Sequence, residues 1–190
     1  STYPVKSAKG LNVSNIQLDH IGPKWDRRWM VVDANNRFRT QRKFAQMCHI
    51  TPQINDGLLT LSAPGISSIT LDEPSNTVYD VVVWQDTVTG QDCGDIAAQW
   101  LSDYLGKPCR LVFMKDETRR LVNTEYAENN EIVSFADGYP ILIASMGSLE
   151  NLNTKLETSV SMDRFRPNIV VTGCEPHAED QWKKIKIGEV

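Results

Sequence analysis

Short apolar segments separated by turn signals fill the first ninety residues of this 190-residue chain. In the run Leu59-Thr60-Leu61-Ser62 every second residue is apolar, which is the period of a strand with one buried face. Such segments recur about every ten residues, a spacing typical of a small β-barrel or β-sandwich. They are WMVVD (29–33), FRTQR (38–42), MCHITPQI (47–54), LLTLSAP (58–64), SITLD (68–72) and VYDVVVW (78–84).

The apolar period changes to that of a helix after residue 93. The stretch IAAQWLSDYLG (96–106) predicts a helix with Asp95 as its N-cap and Gly106 as its stop. Its apolar face would consist of Ile96, Trp100, Leu101, Tyr104 and Leu105. A second helix is predicted over residues 145–156, where leucines recur at helical spacing.

The remaining segments complete a β-dominated α+β prediction. RLVFM (110–114) indicates a strand, NIVVTG (168–173) a strand buried on both faces, and WKKIKIGEV (182–190) an edge or surface strand. The polar, aperiodic stretch 115–131 predicts a mobile loop.

We expect two domains, a β-barrel-like domain at 1–90 and the start of a mixed α/β barrel module at 91–190. Since the last predicted strand reaches the final residue without a closing turn, the second module is expected to be truncated at its C-terminus.

Composition and charge exclude several functional classes. With 41% apolar and 23% charged residues, the chain has the composition of an ordinary soluble protein, and no apolar run approaches the roughly 18 residues of a membrane segment. A secretory signal is also absent from the sequence given, and a net charge of −4 argues against a general nucleic-acid binder. The four cysteines are scattered without a CxxC pair, which favours reduced thiols in a cytoplasmic protein over a zinc site or disulfides.

Three segments place charged side chains beside turns. In YPVKSAKG (3–10), Lys6 and Ser7 follow a predicted strand and could offer an ammonium and a hydroxyl to an anion. The alternative is an edge strand whose lysine prevents further pairing. In KWDRRWMVVD (24–33), one of Arg27 and Arg28 could point inward while the other meets solvent. An inward arginine needs an anion or a carboxylate such as Asp26, and both readings stay open.

The third segment pair is SFADGYP (134–140) with DRFRPNIVV (163–171). Gly138 would let a ligand approach the backbone closely, and arginine suits bidentate recognition of phosphate. Asn168 adds an amide that donates or accepts. The alternative is an ion pair between Arg166 and Asp137 that joins two loops. Local spacing does not separate these readings.

Candidates for nucleophilic catalysis and metal binding are poor. The three histidines share no nucleophile or metal motif, so we assign no catalytic residue and no metal ligand. Cys93 precedes a predicted helix, but Asp92 and Asp95 beside it oppose a lowered pKa and favour a structural cysteine.

Seven motifs in sequence order carry a more specific signal. They are YPVKS, DRRWMVVD with FRTQR, DCGDIAAQWLSDYLG, SFADGYPILIAS, SLENLN, MDRFRPNIVV and EDQWKKIKIG. In this order the chain resembles the family that combines a MOSC N-terminal β-barrel domain with a MOSC domain, named after the C-terminal domain of molybdenum cofactor sulfurase. Within that family it is similar to bacterial YcbX-type proteins and mitochondrial amidoxime-reducing components, across essentially all 190 residues.

The resemblance implies a β-barrel-rich oxidoreductase that carries a molybdenum cofactor and reduces small N-hydroxylated compounds. Electrons would come from a ferredoxin-like domain or a reductase, in many bacterial members a [2Fe–2S] domain further along the same chain. Matching motifs imply that Lys6, Ser7, Arg27, Asp137, Gly138, Tyr139, Arg166 and Asn168 bind the cofactor. The mitochondrial members carry hydroxyl residues at the ADGYP loop, and Arg164 has no assigned counterpart.

One departure separates this sequence from the family pattern. The cysteine that ligates molybdenum lies in family members beyond the position of Val190, and none of the four cysteines here matches it. The chain as given is therefore expected to be inactive by itself. Two alternatives remain: a sulfur-carrier or cofactor-delivery module, since the superfamily is linked to pyridoxal-phosphate-dependent cofactor sulfuration, and a noncatalytic cofactor-binding domain.

Overall fold

The computed structural model describes residues 1–123, 125, 127 and 130–188. Contacts between Cα atoms divide the chain into a larger unit of residues 2–140 and a smaller unit of Ser1 with residues 141–190. The described strands are β1 (Leu18–Asp19), β2 (Gly22–Pro23), β3 (Trp29–Val32), β4 (Thr51–Asn55), β5 (Leu58–Ala63), β6 (Ile66–Thr70), β7 (Val78–Val83), β8 (Asp86–Asp92), β9 (Arg110–Phe113), β10 (Ile143–Ser145) and β11 (Ile169–Val171). The α-helices are α1 (Gly94–Leu105) and α2 (Met146–Asn153), and 3-10 turns cover Ala45–His49, Met162–Arg164 and Ala178–Gln181. The β-dominated α+β class is confirmed, and the predicted domain boundary at residue 90 stays a prediction.

Two antiparallel sheets form most of the larger unit. One has four strands in the order β3-β9-β8-β7 and the other has three in the order β4-β5-β6. Along β3 the side chains alternate, so that Trp29 and Val31 join one core with α1 and the three-stranded sheet. Met30 and Val32 join a second core on the opposite face, where they pack with Phe135. Both faces of the four-stranded sheet are therefore buried around β3.

Helix α1 follows the predicted pattern closely but differs at its start. Its N-cap is Cys93 rather than Asp95, whose carboxylate instead accepts a 2.9 Å hydrogen bond from Arg110. Gly106 ends the helix with φ 65°, as predicted, since this left-handed conformation favours glycine. Trp100, Leu101 and Leu105 are buried, whereas Ile96 is 66% exposed and does not belong to the core face.

The smaller unit contains a parallel pair, β10 with β11. Helix α2 and one 3-10 turn lie between these strands in the chain, and another 3-10 turn follows β11. Helix α2 ends at Asn153, three residues earlier than predicted, and its N-cap is Ser145, whose hydroxyl accepts a 3.0 Å bond from the Ser148 N–H. Strand β11 is not buried on both faces, because Val170 is 42% exposed.

Two other predictions of local structure were wrong. FRTQR (38–42) makes only an isolated bridge at Phe38 and then turns, with the Lys43 N–H bonded to the Thr40 carbonyl at 3.0 Å. The described residues of 182–190, up to Gly188, form no strand. The described residues of the predicted loop 115–131 form no helix or named strand, although Arg120 and Val122 within it are buried, and its mobility stays a prediction. Its residues 124, 126, 128 and 129 lie outside the described part of the chain.

Candidate functional site

Lys6 is a buried cation at the start of the larger unit. Val5 forms a parallel bridge with Trp29, and the turn that follows places the Lys6 side chain against the 134–137 loop. The Lys6 Nζ donates to the Phe135 carbonyl at 2.7 Å and to the Asp137 Oδ1 at 2.6 Å. The Lys6 side chain is 6% exposed and that of Asp137 is 72% exposed. The carboxylate is therefore the solvent-facing member of this ion pair.

Burial lowers the pKa of Lys6 to about 8, because removal from water disfavours the ammonium form. The carboxylate of Asp137 opposes this shift, while the positive charges of Arg120 and Arg27 add to it. Three cationic side chains thus influence one another at the same loop.

Asp137 stays ionised at neutral pH. Partial burial raises its pKa, but the Lys6 ammonium and hydrogen bonds from Lys6 and Trp84 outweigh that effect and keep the pKa below its usual range. The Trp84 Nε1 donates to the Asp137 Oδ1 at 3.1 Å. Two donors therefore fix the orientation of the carboxylate.

An aromatic pair lies beside this ion pair. The ring centroids of Phe38 and Trp84 are 5.0 Å apart, and the Lys6 Nζ is 5.5 Å and 5.8 Å from them. These distances allow a cation–π contribution. Trp84 is the first residue of the two-residue turn between β7 and β8, has φ 55° and is 38% exposed. Glycine or asparagine is usual at such a turn position, so the tryptophan is unusual there.

Arg27 has the carboxylate partner that the sequence offered as its alternative. Its guanidinium pairs with Asp26 and lies 4.3 Å from the ring centroid of Tyr3. The Arg27 carbonyl accepts a 3.0 Å bond from the Phe135 N–H, which links this turn to the loop that contacts Lys6.

The expectation that one of the two neighbouring arginines meets solvent was wrong. The Arg27 side chain is 12% exposed and that of Arg28 is 4% exposed. Arg28 donates to the Met114 carbonyl at 2.6 Å and to the Asp116 Oδ1 at 2.5 Å. An irregular turn precedes β3, so simple strand alternation does not apply to these residues.

Arg120 fixes the 134–137 loop through hydrogen bonds to its carbonyl groups. The sequence did not indicate this role. It donates to the carbonyls of Ser134 at 2.8 Å, Ala136 at 2.5 Å and Asp137 at 3.1 Å. Its Nε donates to the Asp86 Oδ2 at 2.7 Å. Phe38 lies in the FRTQR motif but was assigned no role, and Trp84 and Arg120 lie in no family motif. The one available signal was a tryptophan at the end of the predicted strand VYDVVVW (78–84).

Gly138 and Tyr139 continue the loop toward solvent. A Cβ placed on Gly138 would meet no atom within 4 Å among the described residues, so space for a ligand exists at this backbone position. The Tyr139 hydroxyl donates to the Asn123 carbonyl at 3.3 Å, and its side chain is exposed.

Arg166 and Asn168 belong to the smaller unit, whereas the other predicted site residues belong to the larger one. Asn168 is buried, accepts a 3.1 Å bond from the Leu142 N–H at its Oδ1 and donates through its own N–H to the Leu142 carbonyl at 2.8 Å. These bonds give it a structural role at the start of β11. Arg166 is half-buried, with φ 58°.

Three of the predicted site residues have a left-handed backbone although none is a glycine. Their φ angles are 66° for Ser7, 49° for Arg27 and 58° for Arg166. This region of conformational space is costly for most residues, and such strain is concentrated at functional sites. The sequence contained no sign of these conformations.

Neither Cys93 nor the acidic residues indicate a nucleophile or a metal site in the described part of the chain. Burial, followed by the charge of Asp92, raises the pKa of Cys93 to about 12, so its thiol is neutral and a poor nucleophile. Among the described residues, no group of three or more histidine, cysteine or acidic side chains could hold a metal ion. No helix in that same part of the chain is long and apolar enough to cross a membrane.

Comparison with known families gives two matches along the chain. Residues 1–108 match the model of the MOSC N-terminal beta barrel domain, and residues 130–190 match that of the MOSC domain. A solution structure of a protein from Bordetella bronchiseptica aligns with 55% of this chain and with 91% of its own chain. The sequence identity is 21% and the TM-score is 0.43.

Curated relatives are similar over nearly the whole sequence. The mitochondrial amidoxime reducing component 2 of Rattus norvegicus is 36% identical over 201 residues, which cover 99% of this chain and 60% of the relative. The mitochondrial amidoxime-reducing component 1 of Homo sapiens is 34% identical over 199 residues, covering 99% and 59%. The chain therefore spans about three fifths of the length of these relatives.

Proposed function

This chain belongs to the family that joins a MOSC N-terminal β-barrel domain to a MOSC domain, and on that premise we propose that it holds the molybdenum cofactor of an oxidoreductase. The observation that carries the proposal is the Lys6–Asp137 pair, where a buried ammonium orients an exposed carboxylate beside open backbone at Gly138.

The residues present fit a cofactor made of a pterin and a phosphate. Asp137 would accept N–H groups of the pterin, because its carboxylate is ionised, exposed and held by two donors. Lys6, Arg27 and Arg120, each also paired with a carboxylate, would donate charge-assisted hydrogen bonds to the phosphate. A nearby anion would also offset the burial that lowers the pKa of Lys6. The Ser7 hydroxyl and the backbone at Gly138 and Tyr139 complete this set as we propose it.

Arg166 and Asn168 remain predicted cofactor contacts from the smaller unit. Their polar groups suit the same ligand, and the left-handed backbone of Arg166 supports a functional role. When bound, the cofactor would supply two-electron redox chemistry. The chain's own residues would bind it, orient it and keep the Lys6 side chain shielded from water.

The relatives' names support an activity toward amidoximes, and we propose small N-hydroxylated compounds as substrates. A ferredoxin-like domain or a reductase with a [2Fe–2S] cluster would supply electrons, as the family resemblance implies. Cytoplasmic location stays a prediction from the scattered cysteines, while the relatives are named as mitochondrial proteins.

The natural full-length gene product tests this activity. It should be expressed in a host that makes molybdenum cofactor and supplied with an aromatic amidoxime and a reduced viologen dye. We expect conversion to the amidine, measured by chromatography, and none with protein from a cofactor-deficient host. Equal conversion by both preparations, or none by either when the first contains molybdenum, would refute the proposed reaction.

A further inference from the structure

A cavity lies on the face of the four-stranded sheet that is opposite to Phe135. It has a volume of ≈ 770 Å³, within the range of small-molecule sites. Its floor is a row of three side chains from three neighbouring strands, because Trp29 pairs with Phe113 and Phe113 pairs with Gln91. Directly paired residues project from the same face of a sheet. We call this cavity, with its lining residues, the aromatic groove.

Three neighbouring rings, tilted against one another, form the aromatic part of the floor. The ring centroids of Trp25 and Trp29 are 5.7 Å apart, and those of Trp29 and Phe113 are 4.9 Å apart. Cations already lie near the two ends of this row: the Lys24 Nζ is 5.8 Å from the Trp25 ring, and the Arg28 Cζ is 5.2 Å from the Phe113 ring. The rings thus have faces that a positive charge can approach.

Gln91 is a polar residue in this floor that the fold itself does not use. It is 7% exposed and lines the groove, yet within the described part of the chain its side-chain amide makes no hydrogen bond. Its amide atoms keep access to the groove, so they are free to bond water or a ligand that enters it.

Carboxylates from three separate turns surround the groove. The acidic lining residues are Asp56, Asp72, Glu73, Asp116 and Glu117. Lys115 is the basic residue that lines it, and Asp116 is already paired with Arg28. Negative charge therefore exceeds positive charge around an aromatic floor.

We propose that the aromatic groove binds a small planar organic cation of the guanidinium type. The flat cation would lie against the half-buried rings of Trp25 and Phe113 while its N–H groups bond the Gln91 side-chain oxygen and the surrounding carboxylates. An anionic cofactor would be repelled here, so this site is distinct from the one proposed at Lys6 and does not depend on it.

Phenylguanidinium and its neutral counterpart phenylurea are the probes for this proposal. Each should be titrated into the 190-residue chain while amide and indole N–H shifts are followed by two-dimensional NMR. We expect saturable shifts at Trp25, Gln91 and Phe113, with phenylguanidinium at least about tenfold tighter than phenylurea because only the cation gains charge-assisted bonds.

Matched variants separate the groove from general charge effects. The double change Asp72→Asn with Glu73→Gln should weaken phenylguanidinium binding at least about threefold, and Gln91→Met should do the same. The control, Asp80→Asn with Glu157→Gln, removes the same charge at exposed positions outside the lining and should leave affinity unchanged.

Titration of the unmodified chain with the two probes can by itself contradict the proposal. No saturable shift up to about 10 mM, equal affinity for the two probes, or shifts confined to residues outside the groove would each contradict it. Equal weakening by the charge control and the groove variant would contradict the assigned site.

Discussion

At the residue scale, the main feature of this protein is Lys6, whose burial disfavours the charged form of its side chain. Lys6 is almost fully shielded, and the fold offers it one carboxylate, one carbonyl and two aromatic faces. Nearby guanidinium groups add positive charge instead of relieving it. Such a cost is retained where a charged group has a binding role, as perturbed pKa values at functional sites indicate.

The lowered pKa of Lys6 predicts a specific pH dependence of stability. Its folded-state pKa of about 8 lies below the ordinary value of 10.5, so the unfolded chain binds more protons between these values. The free energy of unfolding should therefore rise by about 3 kcal/mol from pH 8 to 10.5, relative to Lys6→Met. Urea unfolding of both proteins across this range measures the difference. Parallel stability curves would show that Lys6 titrates normally.

At the element scale, helix α2 depends on a close approach that only glycine permits. A Cβ at Gly147 would lie 2.9 Å from the Cys174 carbonyl oxygen, which is backbone and cannot easily move. Gly147→Ala should destabilise the smaller unit by about 1–3 kcal/mol, despite the better helix propensity of alanine.

Gly138→Ala is the matched control, because the added methyl meets open space and φ is not in the left-handed region. Thermal unfolding should show a lowered midpoint for the Gly147 variant and little change for the Gly138 variant. A Gly147 variant as stable as the wild type would mean that the 174–176 segment yields at this contact.

Elements with strong local signals were predictable from the sequence, and the site was predictable only in part. Helix α1 and its Gly106 stop follow from apolar spacing and backbone freedom, which are local properties. FRTQR failed because a turn and tertiary bridges determine its shape. Arg120 lies 14–17 residues from the carbonyls that it bonds, so no short-range pattern marks it.

At the scale of the whole molecule, the two faces of one sheet carry different arrangements of charge. Lys6, Arg27 and Arg120 lie at the 134–137 loop, on the Phe135 side, and each is paired with a carboxylate, that of Asp137, Asp26 or Asp86. The aromatic groove concentrates carboxylates on the Trp29 side. A net charge of −4 conceals this division, since composition averages over both faces. Family membership was readable from ordered motifs, whereas the distribution of charge required the strand register.

The amount of molybdenum and pterin bound per chain tests the central claim most directly. The natural full-length gene product and its Lys6→Met and Lys9→Met variants should be purified from a host that makes the cofactor. Lys9 is an exposed neighbour, so it controls for loss of one positive charge. We predict at least about tenfold lower retention for Lys6→Met, since charge-assisted bonds are lost, and wild-type retention for Lys9→Met. Full retention by a folded Lys6→Met protein would contradict a cofactor site at the Lys6–Asp137 pair.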